Sequence, residues 1–426
     1  MFDHPPKERE SLSWTCAVLW AGVIFVTVPF VRLGVDFVRG QWGGEAFTYA
    51  VAAIAVATTA IALHLIRRRG SLASFCWLVG LGGLVVYLTF DLAKSAPDEA
   101  VHFVQYGVLS VLLYRAFVHR IRDYSVYVAS TIAGALVGMI DETVQWLTPG
   151  RYFDTRDIWL NFVASGLVQV GIATGIRPWI ITGWPGWASL SRLSYLTAAA
   201  VAYLGLCYIN TPDRIAWYTE EVPLLGLTDA RQGVMVEYGH LHGDKGTVSF
   251  RSRLTAEDLR RLARERAEEG GRILDRYGKT NYGKFLQRYT PLTDPFLHEA
   301  RVRLFRRDIY LARARQSEGE ARAQHFAIAY WENRILEDYF GELLRASSFY
   351  WPTAVKIEVG NGADANQAYH SGVSQNLIVA FSPLQVALLF LCAVTALILM
   401  GLYFARRSCG GETGRRTRAP GQDVAT

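Results

Sequence analysis

The chain reads as an all-α polytopic membrane protein of about eight transmembrane helices, with an inserted, mostly helical α+β domain outside the membrane. Three observations predict this class. Apolar runs long enough to cross a bilayer recur along the chain; a span needs about 20 mostly apolar residues. Basic residues cluster at the ends of alternate runs. One long polar segment, 210–382, separates the last two runs. The composition agrees, with 51% hydrophobic residues and a mean hydropathy of +0.15, between the values of soluble and all-membrane chains.

The runs are Leu12–Val35, Ala46–Ile66, Leu72–Leu92, Ala100–Val118, Tyr124–Leu147, Ile158–Ile176, Leu193–Ile209 and Pro383–Ala405. The first is too long for a secretory h-region and lacks a small-residue cleavage site, so it reads as an uncleaved span. The fourth is interrupted by His102 and Arg115, and the seventh is the shortest. "RRR" at 67–69, "YRAFVHRIRDY" between spans four and five, and "RRSCGGETGRRTR" after span eight all fall on one side. The positive-inside rule makes that side cytoplasmic. Both termini are then cytoplasmic in a bacterial plasma membrane. The loops 91–99 and 148–157 and the segment 210–382 face outward.

The expected organisation is N-terminal spans at 1–79, a motif-bearing membrane domain at 80–176, a connecting span at 177–209, the extracytoplasmic domain at 210–382, a last span at 383–405 and a tail at 406–426. The exported segment holds 24 Lys+Arg against 23 Asp+Glu from Asn210 to Phe381, too balanced for an electrostatic membrane clamp. In it, "GVMVEYGHLHGDKGTVSFRSRL" reads as two strands about a turn. "TAEDLRRLARERAEEGGRILDRY" reads as one helix with a Thr/Glu capping signal. Two more helices follow, and "TAVKIEVGNG" reads as a late strand. None of the five cysteines lies between Asn210 and Phe381, which excludes a disulfide framework there. A nucleic-acid partner is excluded by the absence of any basic repeat, RNA-binding signature or zinc-finger spacing. Walker A, GxSxG and HExxH motifs are absent too, and no cofactor or metal is implied.

The chemistry concentrates where charge meets apolar sequence. A charge at a bilayer centre costs roughly 2.5–3.5 kcal/mol on insertion scales, so ionisable groups there point to function. In "DLAKSAPDEAVHFVQYGVL", Glu99, His102 and Tyr106 project from one face of span four, with Lys94 in the loop before it. In "DETVQWLTPGRYFDTRD", Asp141, Glu142 and Gln145 share a face at the end of span five. Asp154 suits the cap of span six, Asp157 follows as in a capping box, and Asn161 comes one turn later. Capping does not account for Glu142, Arg151 or Arg156. A salt-bridged knot and a functional pocket are the two explanations. A third cluster, "FLHEARVRLFRRDIY", crowds Arg301, Arg303, Arg306 and Arg307 onto one exported helix. It reads either as a solvated, ion-paired face or as an anion-capturing one.

"HFVQYGVLSVLLYRA" followed by "DETVQWLTPGRYFDTRDIWLNFVASGL" resembles the VanZ-like family over roughly residues 80–176. The matching positions are His102, Phe103 and Tyr106, then Asp141, Glu142, Gln145, Pro149, Arg151, Asp154, Asp157 and Asn161. Glu99 stands where the family often has lysine, and Lys94 is the nearby substitute. The resemblance implies a small membrane-helical domain, in a family named for a protein associated with teicoplanin resistance. It carries over no catalytic role.

The reading is an envelope protein whose outer-face pocket binds an amphiphilic or lipid-linked anionic ligand. The pocket residues are Lys94, Glu99, His102, Tyr106, Asp141, Glu142, Gln145, Arg151, Asp154, Asp157 and Asn161. Its partners are membrane lipids and, through 210–382, an envelope protein. The alternatives are a membrane hydrolase or transferase, with a metal-assisted form using Glu99, His102, Glu142 and Asp157, and an assembly factor without ligand. A transporter would show internal repeats and broken helices at mid-membrane; no internal repeat is found, and the charges cluster at one face instead.

Overall fold

A computed structural model describes residues 8–68, 70–93, 97–148, 151–221, 234–244, 246–364 and 368–416. It is overwhelmingly helical and divides into two compact units, residues 1–206 with 387–426, and residues 207–386.

The first unit is a helical bundle. Its elements are α1 (Glu10–Trp42), α2 (Ala46–Ile66), α3 (Leu72–Ala93), a 3-10 turn (Pro97–Ala100), α4 (Val101–Phe117), α5 (Ser125–Leu147), α6 (Thr155–Val170) and α7 (Trp187–Ile209). A wider π-helical segment, Gly171–Ile176, extends α6 and ends at Arg177 in a left-handed conformation. The C-terminal helix, Pro383–Arg416, rejoins this unit; its Gly401 carbonyl accepts from the Ser191 hydroxyl of α7 at 2.9 Å.

Six of the described helices are long and apolar enough to cross a membrane: Glu10–Phe30, Ala46–Ile66, Leu72–Ala93, Thr155–Ile176, Trp187–Ile209 and Pro383–Cys409. Val101–Phe117 is apolar but shorter. Ser125–Leu147 has the length, and its acid- and amide-rich C-terminal end lowers its apolarity. Lipid explains the large apolar side chains left exposed, such as Leu19, Val26, Ile61 and Leu391. The interior is built on α4, where Phe103, Tyr106, Leu109 and Leu113 pack with Ala17, Ile24, Val51 and Ala164.

The second unit opens with α8 (Pro212–Glu221). Its small sheet pairs β1 (His240–Gly243) antiparallel to β2 (Val248–Ser252), with His242 opposite Phe250. β3 (Tyr369–His370) lies parallel on the other side of β2. Gly243 ends β1 at φ 82°, and a Cβ there would lie 2.2 Å from the Val248 carbonyl. Helices surround the sheet: α9 (Ala256–Glu265), α10 (Ala267–Tyr277), α11 (Tyr282–Arg288), α12 (Pro295–Gln316), α13 (Gly319–Tyr339), α14 (Gly341–Arg345) and α15 (Thr353–Gly362). Phe250, Leu259, Leu274, Phe285, Phe296, Leu336 and Phe340 form its apolar core.

Two local expectations are corrected. "TAVKIEVGNG" is the helix α15, not a strand. Its β-branched alternation mimics a strand, but it starts directly after Pro352 and buries only Val359. The capping signal at Thr255 is real, since its hydroxyl accepts from the Asp258 N–H at 3.1 Å. The helix it starts nevertheless breaks at Arg266, so α9 and α10 are separate elements.

Candidate functional site

One end of the membrane bundle gathers the polar residues of α4, α5 and α6. Asp154 caps α6 by accepting from the Arg156 N–H at 2.8 Å. That leaves the Asp154 N–H to donate to Glu142 Oε2 at 2.9 Å. Glu142 Oε1 accepts from the Gln145 amide, whose own oxygen accepts from Arg151. Glu142 is fully buried. Its hydrogen bonds thus tie the end of α5 to the start of α6 through neutral donors, with Arg151 one step removed.

α4 joins from the side. Tyr106 donates to Asp141 Oδ2 at 3.1 Å. His102, stacked on Tyr106 with ring centroids 6.1 Å apart, places Nε2 4.0 Å from Asp157 Oδ2. Arg156 pairs with Glu99 at 2.9 Å and links the start of α6 to the start of α4. One ion pair, Arg156–Glu99, therefore ties α6 to the segment before α4, while Glu142 and Gln145 form an amide–carboxylate relay with no direct arginine partner to Glu142.

Ten of the sequence-identified positions lie in this neighbourhood: Glu99, His102, Tyr106, Asp141, Glu142, Gln145, Arg151, Asp154, Asp157 and Asn161. Lys94, Pro149 and Gly150 lie outside the described residues. The ten divide by what they face. His102, Asp141, Gln145 and Arg151 line a cavity of about 270 Å³, together with Gln105 and with α1 and α2 side chains such as Thr27 and Phe47. The others stand around it. Asp141 Oδ1 is buried and has no hydrogen-bond partner among the described residues. Glu99, His102, Glu142 and Asp157 form no group arranged to hold a metal ion among the described residues.

Beneath the cavity a polar seam continues into the bundle. Asp157, Asn161, Ser165 and Gln169 recur every fourth residue on α6 and are largely or wholly buried. Gln169 Nε2 donates to Ser110 Oγ at 2.8 Å, and Ser110 Oγ donates to the Ser165 carbonyl at 2.9 Å. Neither polar atom of the Asn161 amide has a partner among the described residues. α5 meets this seam with Gly138 and Gly134; a Cβ on the latter would lie 2.4 Å from Ser165 Oγ. Sequence reasoning missed Ser110, Gly134, Gly138, Ser165 and Gln169. The four-residue spacing of Asp157, Asn161, Ser165 and Gln169 was the available signal.

A family model described as VanZ/LLP1 matches residues 17–176. Residues 17–176 of the first unit are VanZ-like. The match begins inside α1, upstream of the motifs, and α1 and α2 of this VanZ-like region do supply walls of the cavity. No curated protein and no solved structure matches the chain.

The arginine cluster of α12 is not a solvated face. Arg303 is fully buried, pairs with Glu299 at 2.9 Å and Glu332 at 3.4 Å, and lies over the Phe250 ring at 4.6 Å. Arg307 donates to Asn333 Oδ1 and to the Phe349 carbonyl and stacks on Trp351. Arg301 lies between Tyr282 and Phe349. Burial pushes Arg301 and Arg307 down from the ordinary arginine range. Arg303 and Arg307 spend their donors on internal partners, whereas Arg301 gives Nη2 to the Gly278 carbonyl and keeps a buried Nε without a hydrogen-bond partner among the described residues. Glu332 is held by Arg303, Arg306, Tyr369 and Ser371, and His325 instead bonds Ser317, so no metal pair forms.

Proposed function

We propose that the VanZ-like region binds the polar headgroup of an amphiphile in the cavity lined by His102, Asp141, Gln145 and Arg151. The observation that carries this reading is Asp141. Tyr106 holds one of its oxygens, and the other is buried without a partner in a residue that lines the cavity. Burying an unsatisfied acceptor is costly unless a donor arrives. A hydroxyl or amine of the headgroup supplies that donor. An anionic group of the same headgroup, phosphate or carboxylate, faces the Arg151 guanidinium.

An amphiphile fits better than a soluble solute because helices that line the polar cavity also line an apolar groove. A groove of about 310 Å³ runs between α2, α3, α4 and α6, lined by residues such as Val51, Leu65, Val85 and Val108. It shares α2 and α4 with the cavity. From Val51 to Leu65 it follows α2 for about 21 Å at the helical rise per residue, longer than one leaflet of a hydrocarbon core of about 30 Å. An alkyl chain occupies such a groove along its length.

On this reading, Glu142, Asp154 and Asn161 shape the site without touching the headgroup, because none lines the cavity. The positive-inside rule supports an outer-face cavity, cytoplasmic termini and an exported 210–382 segment that offers a surface to an envelope partner. The test is lipid analysis of the purified chain beside Asp141→Asn and Arg151→Gln. An amphiphile enriched over bulk lipid with the wild type and depleted at least tenfold with both folded variants is expected. Identical lipid profiles for all three would reject headgroup binding.

A further inference from the structure

A second cavity lies at the opposite end of α4, where α1, the α4–α5 connection and α7 meet. Its volume is about 480 Å³ and its polar lining is Glu10, Arg120, Ser125, Ser189 and Arg192. The acids here are already engaged. Glu10 pairs with Arg120 at 2.6 Å. Asp123, next to the cavity, accepts from the Ser125 N–H at 2.9 Å and from Ser189 Oγ at 2.6 Å. Arg192 is exposed and has no acidic partner among the described residues. The rim therefore keeps a positive charge, while Phe117, Ile121, Leu193 and Leu196 make the rest of the lining apolar.

The neighbouring surface sets the depth of this cavity in a bilayer. Trp184, Trp187, Tyr124 and Tyr403 are all exposed around it. They form two pairs, Tyr124–Trp184 and Trp187–Tyr403, in edge contact at 5.8 and 6.5 Å. Exposed Trp and Tyr of this kind sit at the headgroup level of a membrane. A basic opening at headgroup depth, with apolar walls behind it, complements a phosphodiester above two acyl chains.

We propose that this cavity binds the headgroup of an anionic phospholipid, with Arg192 as its principal phosphate contact. The site is separate from the His102 cavity, so the two proposals stand or fall independently.

The experiment uses the full chain in nanodiscs of phosphatidylcholine with or without phosphatidylglycerol. Native mass spectrometry reads the lipids retained. Wild type is expected to retain phosphatidylglycerol over phosphatidylcholine. Arg192→Gln is expected to lose about fivefold of that preference, the effect of one cation near the surface, and Arg192→Lys to keep most of it. Should Arg192→Gln fail to fold, Leu196→Trp fills the cavity without altering charge and is expected to lose the same preference. Equal retention of the two lipids by wild type overturns the proposal, as does a folded Arg192→Gln or Leu196→Trp protein that keeps the wild-type preference. Displacement of phosphatidylglycerol by millimolar inorganic phosphate assigns the site to a small anion and also overturns it.

Discussion

Gly138 of α5 faces Asn161 of α6 so closely that a Cβ at position 138 would lie 2.9 Å from the Asn161 Cβ. Small residues let membrane helices approach in this way. Here the approach brings the Glu142 end of α5 to the Asp154 cap of α6. Gly138→Ala is expected to force the two helices apart and to cost about 1–3 kcal/mol, the range for overpacking. Gly166→Ala makes only ordinary contact with Thr131 at 3.6 Å and serves as the control. Melting in detergent should separate them, and a Gly138→Ala protein as stable as the control would mean that this contact does not set the interface.

Asn161 is fully buried with neither amide atom bonded among the described residues. An unsatisfied buried group costs about 1–3 kcal/mol, so Asn161→Leu is expected to leave the melting temperature unchanged or raised. A loss of complementation in a deletion strain at full membrane abundance would then place Asn161 in function. A large fall in stability would instead show that the amide bonds within the fold.

In the second unit, Arg303 joins Glu299 and Glu332, all three fully buried. Arg303→Met strips both carboxylates of that partner, and breaking a buried pair costs about 3–5 kcal/mol. Arg315→Ala removes a largely exposed pair with Glu358, of a kind worth about 0–1 kcal/mol. Limited proteolysis of the full chain should show 207–386 labile in the first variant and intact in the second. Equal resistance would contradict the structural role of the arginine network.

His298 gives the second unit a pH dependence. Burial pushes its imidazole below the ordinary range, outweighing the bond from Nδ1 to the Tyr289 carbonyl. The folded state therefore disfavours the proton that the unfolded chain takes up near pH 6.5. Stability is full above that pH and declines as pH falls toward the lower folded value. Protection factors at the start of α12, which allow for the slower intrinsic exchange at lower pH, are expected to fall between pH 7 and 5, and less so in His298→Gln. Identical pH profiles would remove His298 as the cause. His242, also pushed down by burial, adds to the slope in both proteins.

The polar end of the VanZ-like region was legible because its residues recur at helical spacing beside apolar runs. Once α4, α5 and α6 pack, Glu99, His102, Asp141, Glu142 and Asp157 have nowhere to converge but one end. The glycines at 134 and 138 carry no such sign, since glycine in an apolar span looks like any small packing residue. The α12 arginines misled for a different reason. Their partners, Phe250, Glu332 and Trp351, lie far off in sequence, so local charge spacing suggested water where the fold supplies rings and carboxylates. Helix α15 defeated a period-two pattern because tertiary packing, rather than β-branching, decided it. The fourth span, Val101–Phe117, is one residue shorter at each end than its apolar run, Ala100 closing a separate 3-10 turn and Val118 capping the helix.

The most direct measurement is an experimental density map of the full chain in nanodiscs formed from its native membrane. Headgroup density within hydrogen-bond distance of Asp141 Oδ1 and Arg151, continuing as a chain along the groove between α2 and α4, is the expected result. A cavity closed by Arg151 turning in to pair with Asp141, with no headgroup density beside either, would contradict amphiphile binding at this site.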